Sequence, residues 1–378
     1  MSDSRAFPID EFAERLARLR AAMRSSSADV MLIDDCEALA YFTGYETTLN
    51  RYRACIVPAD GPPVMVLRLL DAEPFRAAAW FERCEGFADA DDAVEKVAAV
   101  LRAEGFGSAV IGFDSRSHAL SVEGYERLRR ALPRARFVPM PGLPWELRLI
   151  KSQAEIACLR TAAQILDQTV ADAIERVRPG IVPRDVLAFA ASRLLELGAE
   201  PAHLGYVSAA RDWSFLHMQP AQSPLAHGDV LHLELVARYR GYEARVMRCV
   251  ALGAIAAERE EAAAKLIALQ DRQIAAMTPG ALAGEIDAIL RDGVLAAGLR
   301  KDYPNVTGYT LGYYSRVPIR SSDFTRCFTP DAQWRLEPGM VFHMYTSARG
   351  ISVSETVLVG AHGAQRLTQL DRRLFFRK

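Results

Sequence analysis

One structural unit is written twice in this chain, and that repetition constrains the fold more than any other feature. Gly228-Asp-Val-Leu-His-Leu-Glu-Leu-Val-Ala-Arg-Tyr-Arg-Gly-Tyr-Glu-Ala-Arg-Val-Met-Arg-Cys-Val-Ala-Leu-Gly253 has the same shape as Gly339-Met-Val-Phe-His-Met-Tyr-Thr-Ser-Ala-Arg-Gly-Ile-Ser-Val-Ser-Glu-Thr-Val-Leu-Val-Gly360. Gly228, Val230 and His232 stand in the first as Gly339, Val341 and His343 stand in the second. Apolar and polar residues alternate with period two around a glycine-bearing turn, which predicts a β-hairpin in each copy. The alternation puts His232 and Glu234 on one face, and His343 and Tyr345 on the matching face of the other copy. Upstream of each hairpin lie a helical pattern, a Pro-Gly turn (Pro179-Gly180 and Pro279-Gly280), a second helix and a loop. Two related halves facing each other around a pseudo-twofold axis are therefore expected, with any site between them.

The rest of the chain needs a second core. At 378 residues it is too long for one ordinary core. Strands at 29–33, 53–57, 64–69 and 109–113 alternate with helical patterns at 10–24, about 90–104 and 120–131, which indicates an α/β domain. Tyr41-Phe-Thr-Gly-Tyr45 reads as a turn-bearing segment. Val138-Pro-Met-Pro-Gly-Leu-Pro144 punctuates the chain, so the expected domains are 1–144 and 145–378. Ser152-Gln-Ala-Glu155 is a capping box that opens the next helix. Ser315 to Trp334 reads as a polar, irregular insertion lying over the site.

Composition excludes several classes. Half the residues are hydrophobic and a quarter charged, the profile of a globular protein, and a formal net charge of −1 offers nothing to nucleic acid or an anionic membrane. No apolar run approaches the ~20 residues of a spanning helix, and the first residues lack the apolar core of a signal peptide. The six cysteines form no Cys-x-x-Cys pair, so neither a disulfide framework nor a thiolate zinc site is expected. The cytoplasm is the expected compartment.

The duplicated half, the boundary near residue 145 and the hairpins together resemble the pita-bread superfamily of methionine aminopeptidase, prolidase and creatinase. Leu147-Arg-Leu-Ile-Lys-Ser-Gln-Ala-Glu-Ile156, Leu336-Glu-Pro-Gly-Met-Val-Phe342 and Ser354-Glu-Thr-Val-Leu-Val359 carry the likeness. The fold class it implies is α/β (α+β), a creatinase-type amino-terminal domain followed by a pita-bread catalytic domain. Peptidases of the superfamily hold two metal ions with two aspartates, a histidine and two glutamates. By the resemblance those positions fall here at Glu234, Arg245, Tyr309, Tyr345 and Ser354, with Glu355 beside the last. Hard dications require converging anionic oxygens or imidazoles, so no metal and no other cofactor is expected, and metallopeptidase activity is disfavoured.

His217, in Phe215-Leu-His-Met-Gln-Pro220, matches the family's catalytic histidine by its spacing to Gly228-Asp229. A histidine kept where metal ligands are gone is similar to the metal-free branch, creatinase and the ectoine hydrolases, which hydrolyse a C–N bond in a small guanidino or cyclic amidine compound. The expected function is such a hydrolase, with a small molecule as substrate. A non-catalytic small-molecule binder, or a lyase or cyclisation enzyme on the same scaffold, stays open beside it. His217 is the expected proton shuttle. Glu234 and Glu355 are expected to hold a substrate cation. A buried ion pair with Arg245 or Arg248 is the alternative for Glu234; for Glu355 it is the strict match of Ser354, since one residue along a strand reverses the face unless a bulge intervenes. Arg245 or Arg53 would grip a substrate carboxylate, Tyr309 and Tyr345 would donate to an oxyanion, and His343 faces the cavity. Creatinase-like dimers, in which the amino-terminal domain of one copy covers the other's site, imply a homodimer here.

Overall fold

The computed structural model describes residues 6–46, 50–209, 214–220, 222–316, 318 and 320–378. The chain divides into two compact units, Met1–Arg148 and Leu149–Lys378. The first runs α1 (Ile9–Ser25), β1 (Val30–Ile33), α2 (Cys36–Thr43), β2 (Ala54–Pro58), β3 (Val64–Arg68), α3 (Ala72–Ala78), β4 (Cys84–Phe87), α4 (Ala93–Ala103), β5 (Val110–Phe113), α5 (Val122–Ala131), β6 (Arg136–Pro139) and α6 (Leu143–Glu146). Its strands form one mixed sheet in the order β4-β3-β2-β1-β5-β6.

Both faces of that sheet are buried, and strand alternation sorts the side chains between two cores. Met31 and Ile33 of β1 join Leu19, Phe42 and Phe75 on one side. Val30 and Leu32 join Val97, Leu101 and Ile111 on the other. One expectation is corrected here: the segment at 41–45 is the end of helix α2, which Gly44 terminates in the left-handed region at φ 84°. Every residue of α2 is buried, so it lacks the polar stripe by which a helix is recognised in sequence.

The second unit runs α7 (Gln153–Arg176), α8 (Pro183–Glu196), β7 (Gly205–Ala209), β8 (Val230–Tyr239) and β9 (Tyr242–Leu252), then α9 (Ala257–Ala275), α10 (Ala283–Ala296), β10 (Gly308–Thr310), β11 (Asp323–Phe328), β12 (Val341–Ala348) and β13 (Ile351–Val359), with β14 (Ala364–Arg366) and β15 (Phe375–Arg377) at the end. Its sheet has the order β11-β10-β12-β13-β9-β8-β7, with β14 on β13 and β15 on β9. Helix α7 packs on β8 and β9, and α9 packs on β12 and β13, so each half covers its own hairpin. The capping box forms as the sequence requires: the Glu155 N–H donates to Ser152 Oγ at 3.2 Å, and the Ser152 N–H donates to Glu155 Oε2 at 2.8 Å.

The two hairpins close with the same turn. Arg240 and Gly241 have φ of 49° and 83°, and Arg349 and Gly350 have 51° and 74°. Two consecutive positive φ values define the type I′ turn, whose twist matches that of the strands it joins. The hairpins lie side by side because Ser354 of β13 pairs with Met247 of β9. The insertion at 315–334 is not irregular throughout: it contains β11, which extends the sheet beyond β10. Among the described residues no helix is long and apolar enough to cross a membrane.

Candidate active site

Sheet register assembles the site. Tyr206 pairs with Glu234, Glu234 with Met247, Met247 with Ser354, and Ser354 with Tyr345, a row running straight across β7, β8, β9, β13 and β12. Cross-strand partners share a face, so the row projects to one side. There it meets a pocket of about 250 Å³. The first half contributes Leu216, His217, Glu234 and Met247; the second contributes Asn305, Tyr309, His343 and Tyr345; the insertion supplies Ser322 and Phe324. A larger groove of about 440 Å³ along α7, beside Arg160, Asp167 and Gln369, contains none of the residues singled out by the sequence.

The wall from the first half is charged. Glu234 is buried, and its Oε2 has no hydrogen-bond partner. It lies 3.9 Å from Nε2 of the fully buried His232, an ionic contact too long for a hydrogen bond. His232 Nδ1 is 2.7 Å from Ser352 Oγ. Burial works against charge on both groups. For the Glu234 carboxyl, His232 and Arg245 outweigh it and hold the group below its ordinary value; for His232, Cys249 and Glu234 outweigh it and hold the imidazole above its ordinary value. Neither guanidinium considered as a partner for Glu234 is bonded to it. Arg245 donates to Glu243 Oε2 at 3.1 Å, to the Tyr309 hydroxyl at 3.2 Å and to the Ser321 carbonyl. It does not line the pocket, so the sequence expectation that it grips a substrate carboxylate finds the guanidinium already engaged.

The wall from the second half is neutral. His343 is fully buried, with Nδ1 2.9 Å from the Tyr309 hydroxyl and Nε2 2.7 Å from Ser354 Oγ. Burial pushes its pKa down to about 3, so the imidazole is uncharged near neutral pH. Burial also raises the Tyr309 and Tyr345 phenols, which stay protonated. The Tyr345 hydroxyl accepts from Asn305 Nδ2 at 3.3 Å.

His217 sits at the rim, exposed to solvent while lining the pocket, at the end of a short 3-10 turn (Ser214–His217). Its ring stacks on Tyr206 at 5.0 Å between centroids, and Phe215 from the same turn meets His232 edge-on at 4.9 Å. The turn is thus seated on the residue that faces Glu234.

Two expected site residues lie elsewhere. Glu355 is fully buried but faces away from the pocket, bonded to Arg248 at 2.8 Å, with Arg372 at 3.1 Å, Arg366 at 3.7 Å and the Thr368 hydroxyl also around it. Pairing of β12 with β13 runs unbroken from Val341↔Leu358 to Ala348↔Ile351, so no bulge turns Glu355 inward and Ser354 takes the pocket face. Arg53 is buried in the first unit, where its guanidinium contacts Cys36 Sγ.

The sequence reading missed Asn305, Ser322, Phe324 and Leu216 of the pocket lining. His203 is half-buried and meets Tyr206 edge-on at 5.4 Å; burial first, and Arg245 second, lower its pKa. Among the described residues no group of three or more His, Cys, Asp or Glu side chains is placed to hold a metal ion.

Comparison with known proteins places this arrangement. Residues 157–361 match metallopeptidase family M24, and residues 15–150 match the creatinase/prolidase N-terminal domain. The ectoine hydrolase of Halomonas elongata is 26% identical over 98% of this chain and 98% of its own. The probable dipeptidase PepE of Mycobacterium tuberculosis H37Rv is also 26% identical, again over 98% of each chain. In fold, the prolidase of Thermococcus sibiricus superposes with a TM-score of 0.85 at 21% identity, covering 97% of this chain and 99% of that one.

Proposed function

Because the chain belongs to metallopeptidase family M24, behind a creatinase/prolidase N-terminal domain, we propose that it is a hydrolase acting on a C–N bond in a small amidine, guanidino, cyclic amidine or amide compound, without a dinuclear metal centre. The observation that carries this reading is Arg245. A guanidinium has donors and no lone pair to offer a cation, and this one is locked to Glu243 and Tyr309 where the resemblance implies a ligand. Neutral phenols at Tyr309 and Tyr345 and a hydroxyl at Ser354 complete a donor set that does not fit a pair of divalent ions. The likeness to an ectoine hydrolase favours a small non-peptide substrate. Peptide hydrolysis, the activity named for the PepE relative, would by the resemblance require those two ions.

In the proposed mechanism a water molecule adds to the amidine or amide carbon at the pocket mouth. His217 takes the proton from that water as the C–O bond forms, and passes it to the departing nitrogen as the tetrahedral adduct collapses and the C–N bond breaks. Glu234 holds the positive end of the substrate, and the phenols of the second half donate toward developing negative charge. A pocket of about 250 Å³ falls below the ~300 Å³ at which drug-sized sites begin, which suits a substrate of this class. The reading includes a homodimer whose amino-terminal unit covers the partner's pocket; Arg53, buried with Cys36, is not a residue to reach across.

A screen of small amidines, guanidines, ureido compounds and cyclic amides, scored by amine or ammonia release, tests the reading. His217→Ala is expected to lower turnover at least about a hundredfold, the usual scale for a lost acid–base group. Equal rates for the variant and the parent would remove His217 from the mechanism.

A further inference from the structure

Among the described side chains lining the pocket, two acceptor atoms have no hydrogen-bond partner in the protein. Glu234 Oε2 is one, and Oδ1 of Asn305 is the other; both atoms are buried. Asn305 uses its two N–H donors internally, to the Val306 carbonyl at 3.0 Å and to the Tyr345 hydroxyl at 3.3 Å. That fixes the amide so that only its carbonyl oxygen is left to offer. Leaving a buried acceptor unmatched is unfavourable, and a ligand relieves it by bringing N–H donors.

The charges lining the pocket agree. Glu234 is the one carboxylate among the described lining residues, and neither lysine nor arginine is among them. Tyr309, Phe324 and Tyr345 add ring surface, with centroids 5.3 Å apart for Tyr309–Phe324 and 5.9 Å for Tyr309–Tyr345. Aromatic faces attract cations. Phe324, 58% exposed, stands at the edge of this surface.

We propose that Glu234 and Asn305 form a two-point clamp for the N–H edge of a net cationic substrate, an amidinium or guanidinium that carries no carboxylate of its own. Asn305 is thereby a specificity-determining residue. This deepens the proposed hydrolase reading and rests on it for the site. It narrows the substrate to ions with at least two N–H groups on one edge. Zwitterions are disfavoured, because their carboxylate meets Glu234 and the phenyl ring instead of a cation.

The test is calorimetric titration of the full-length protein with acetamidinium and N-methylguanidinium, against guanidinoacetate as the carboxylate-bearing counterpart, with amine or ammonia release followed in parallel. The simple cations should bind at least about tenfold more tightly than guanidinoacetate. Asn305→Ala and Glu234→Gln should each weaken the cations about tenfold. Phe324→Leu, at an exposed position, gives a variant whose folding is not at stake and should weaken the cations modestly. Thermal melts without ligand separate loss of binding from loss of fold. The clamp is overturned if guanidinoacetate binds as well as the simple cations, if no cation binds, or if Asn305→Ala binds them as tightly as the parent. Cations that bind with the expected variant pattern but are never cleaved support the clamp and count against the hydrolase reading. Cleavage restricted to carboxylate-bearing compounds does the reverse.

Discussion

His232 in the first hairpin and His343 in the second occupy equivalent places, with the two strands β9 and β13 between them. Each ring has a β13 serine 2.7 Å away, Ser352 for the first and Ser354 for the second. Both imidazoles are fully buried. Yet one is held above its ordinary pKa and the other falls to about 3. Burial acts alike on both. The difference comes from the neighbours: Cys249 and Glu234 together outweigh burial at His232, whereas at His343 the pull of Glu234 is opposed by Arg245 and does not overcome burial. Duplication fixed where the side chains stand, and the residues around them decided that one wall would be ionic and the other a set of neutral hydrogen-bonding groups. On the proposed reading, a pocket so divided would orient a polar cation.

The largest effect expected from breaking this comparison lies on the reverse face of the sheet. Glu355 and Arg248 belong to the same two hairpins but face away from the pocket, in a buried cluster with Arg366 and Arg372. Removing one partner from such a cluster leaves buried charge uncompensated, at a cost of about 3–5 kcal/mol. Glu355→Ala should therefore lower the stability measured by urea unfolding by that amount. Cation binding by the folded fraction should stay within about twofold of the parent. Lost binding or turnover with unchanged stability would return Glu355 to the site.

The pH dependence of stability sharpens the contrast between the two histidines. His343 has a folded pKa near 3, below its ordinary 6.5. In the window from 6.5 down to 3 only the unfolded chain takes up that proton, so stability falls with falling pH. For His232 the sign is opposite. Its raised folded value gives stability that is fully present below 6.5 and lost as pH rises through the folded value. His343→Gln should flatten the acid limb of a stability-versus-pH curve, and His232→Gln should remove stabilisation on the acid side of neutrality. Parallel changes in the two variants would contradict the division of the walls.

The smallest effect is at Tyr345. Its hydroxyl accepts one bond, from Asn305 at 3.3 Å. Tyr345→Phe should cost about 1 kcal/mol, the net value of a single neutral hydrogen bond, read as a shift in urea midpoint at constant slope. A much larger loss would mean that the hydroxyl anchors the second wall.

Much of this was legible before the structure. Period-two alternation and shared glycine positions placed Glu234, His343 and Tyr345 toward one cavity, because a strand has only two faces and a register fixes both. The same rule gave Ser354 the inward position, and Glu355 would have needed a bulge to join it; β13 has none against β12. His217 came from the family resemblance, at the family's spacing to the hairpin, and it lines the pocket. Asn305, Ser322 and Phe324 were not legible. Asn305 lies in an irregular segment and the other two in the insertion, so no periodicity tells which side chain turns inward. Helix α2 was missed for the opposite reason: a segment buried on every side has no polar stripe to reveal its period. The state of Arg245 was also hidden, since its partners Tyr309 and Ser321 are remote in sequence and only the closed sheet brings them together.

The central claim is that the two adjoining hairpins form a cation-binding pocket whose side chains do not fit a metal pair. Titration of chelator-dialysed protein with manganese or cobalt, for the parent and for Glu234→Gln, tests it most directly. The account predicts no stoichiometric binding to either protein. Two equivalents bound by the parent and lost in Glu234→Gln would contradict it.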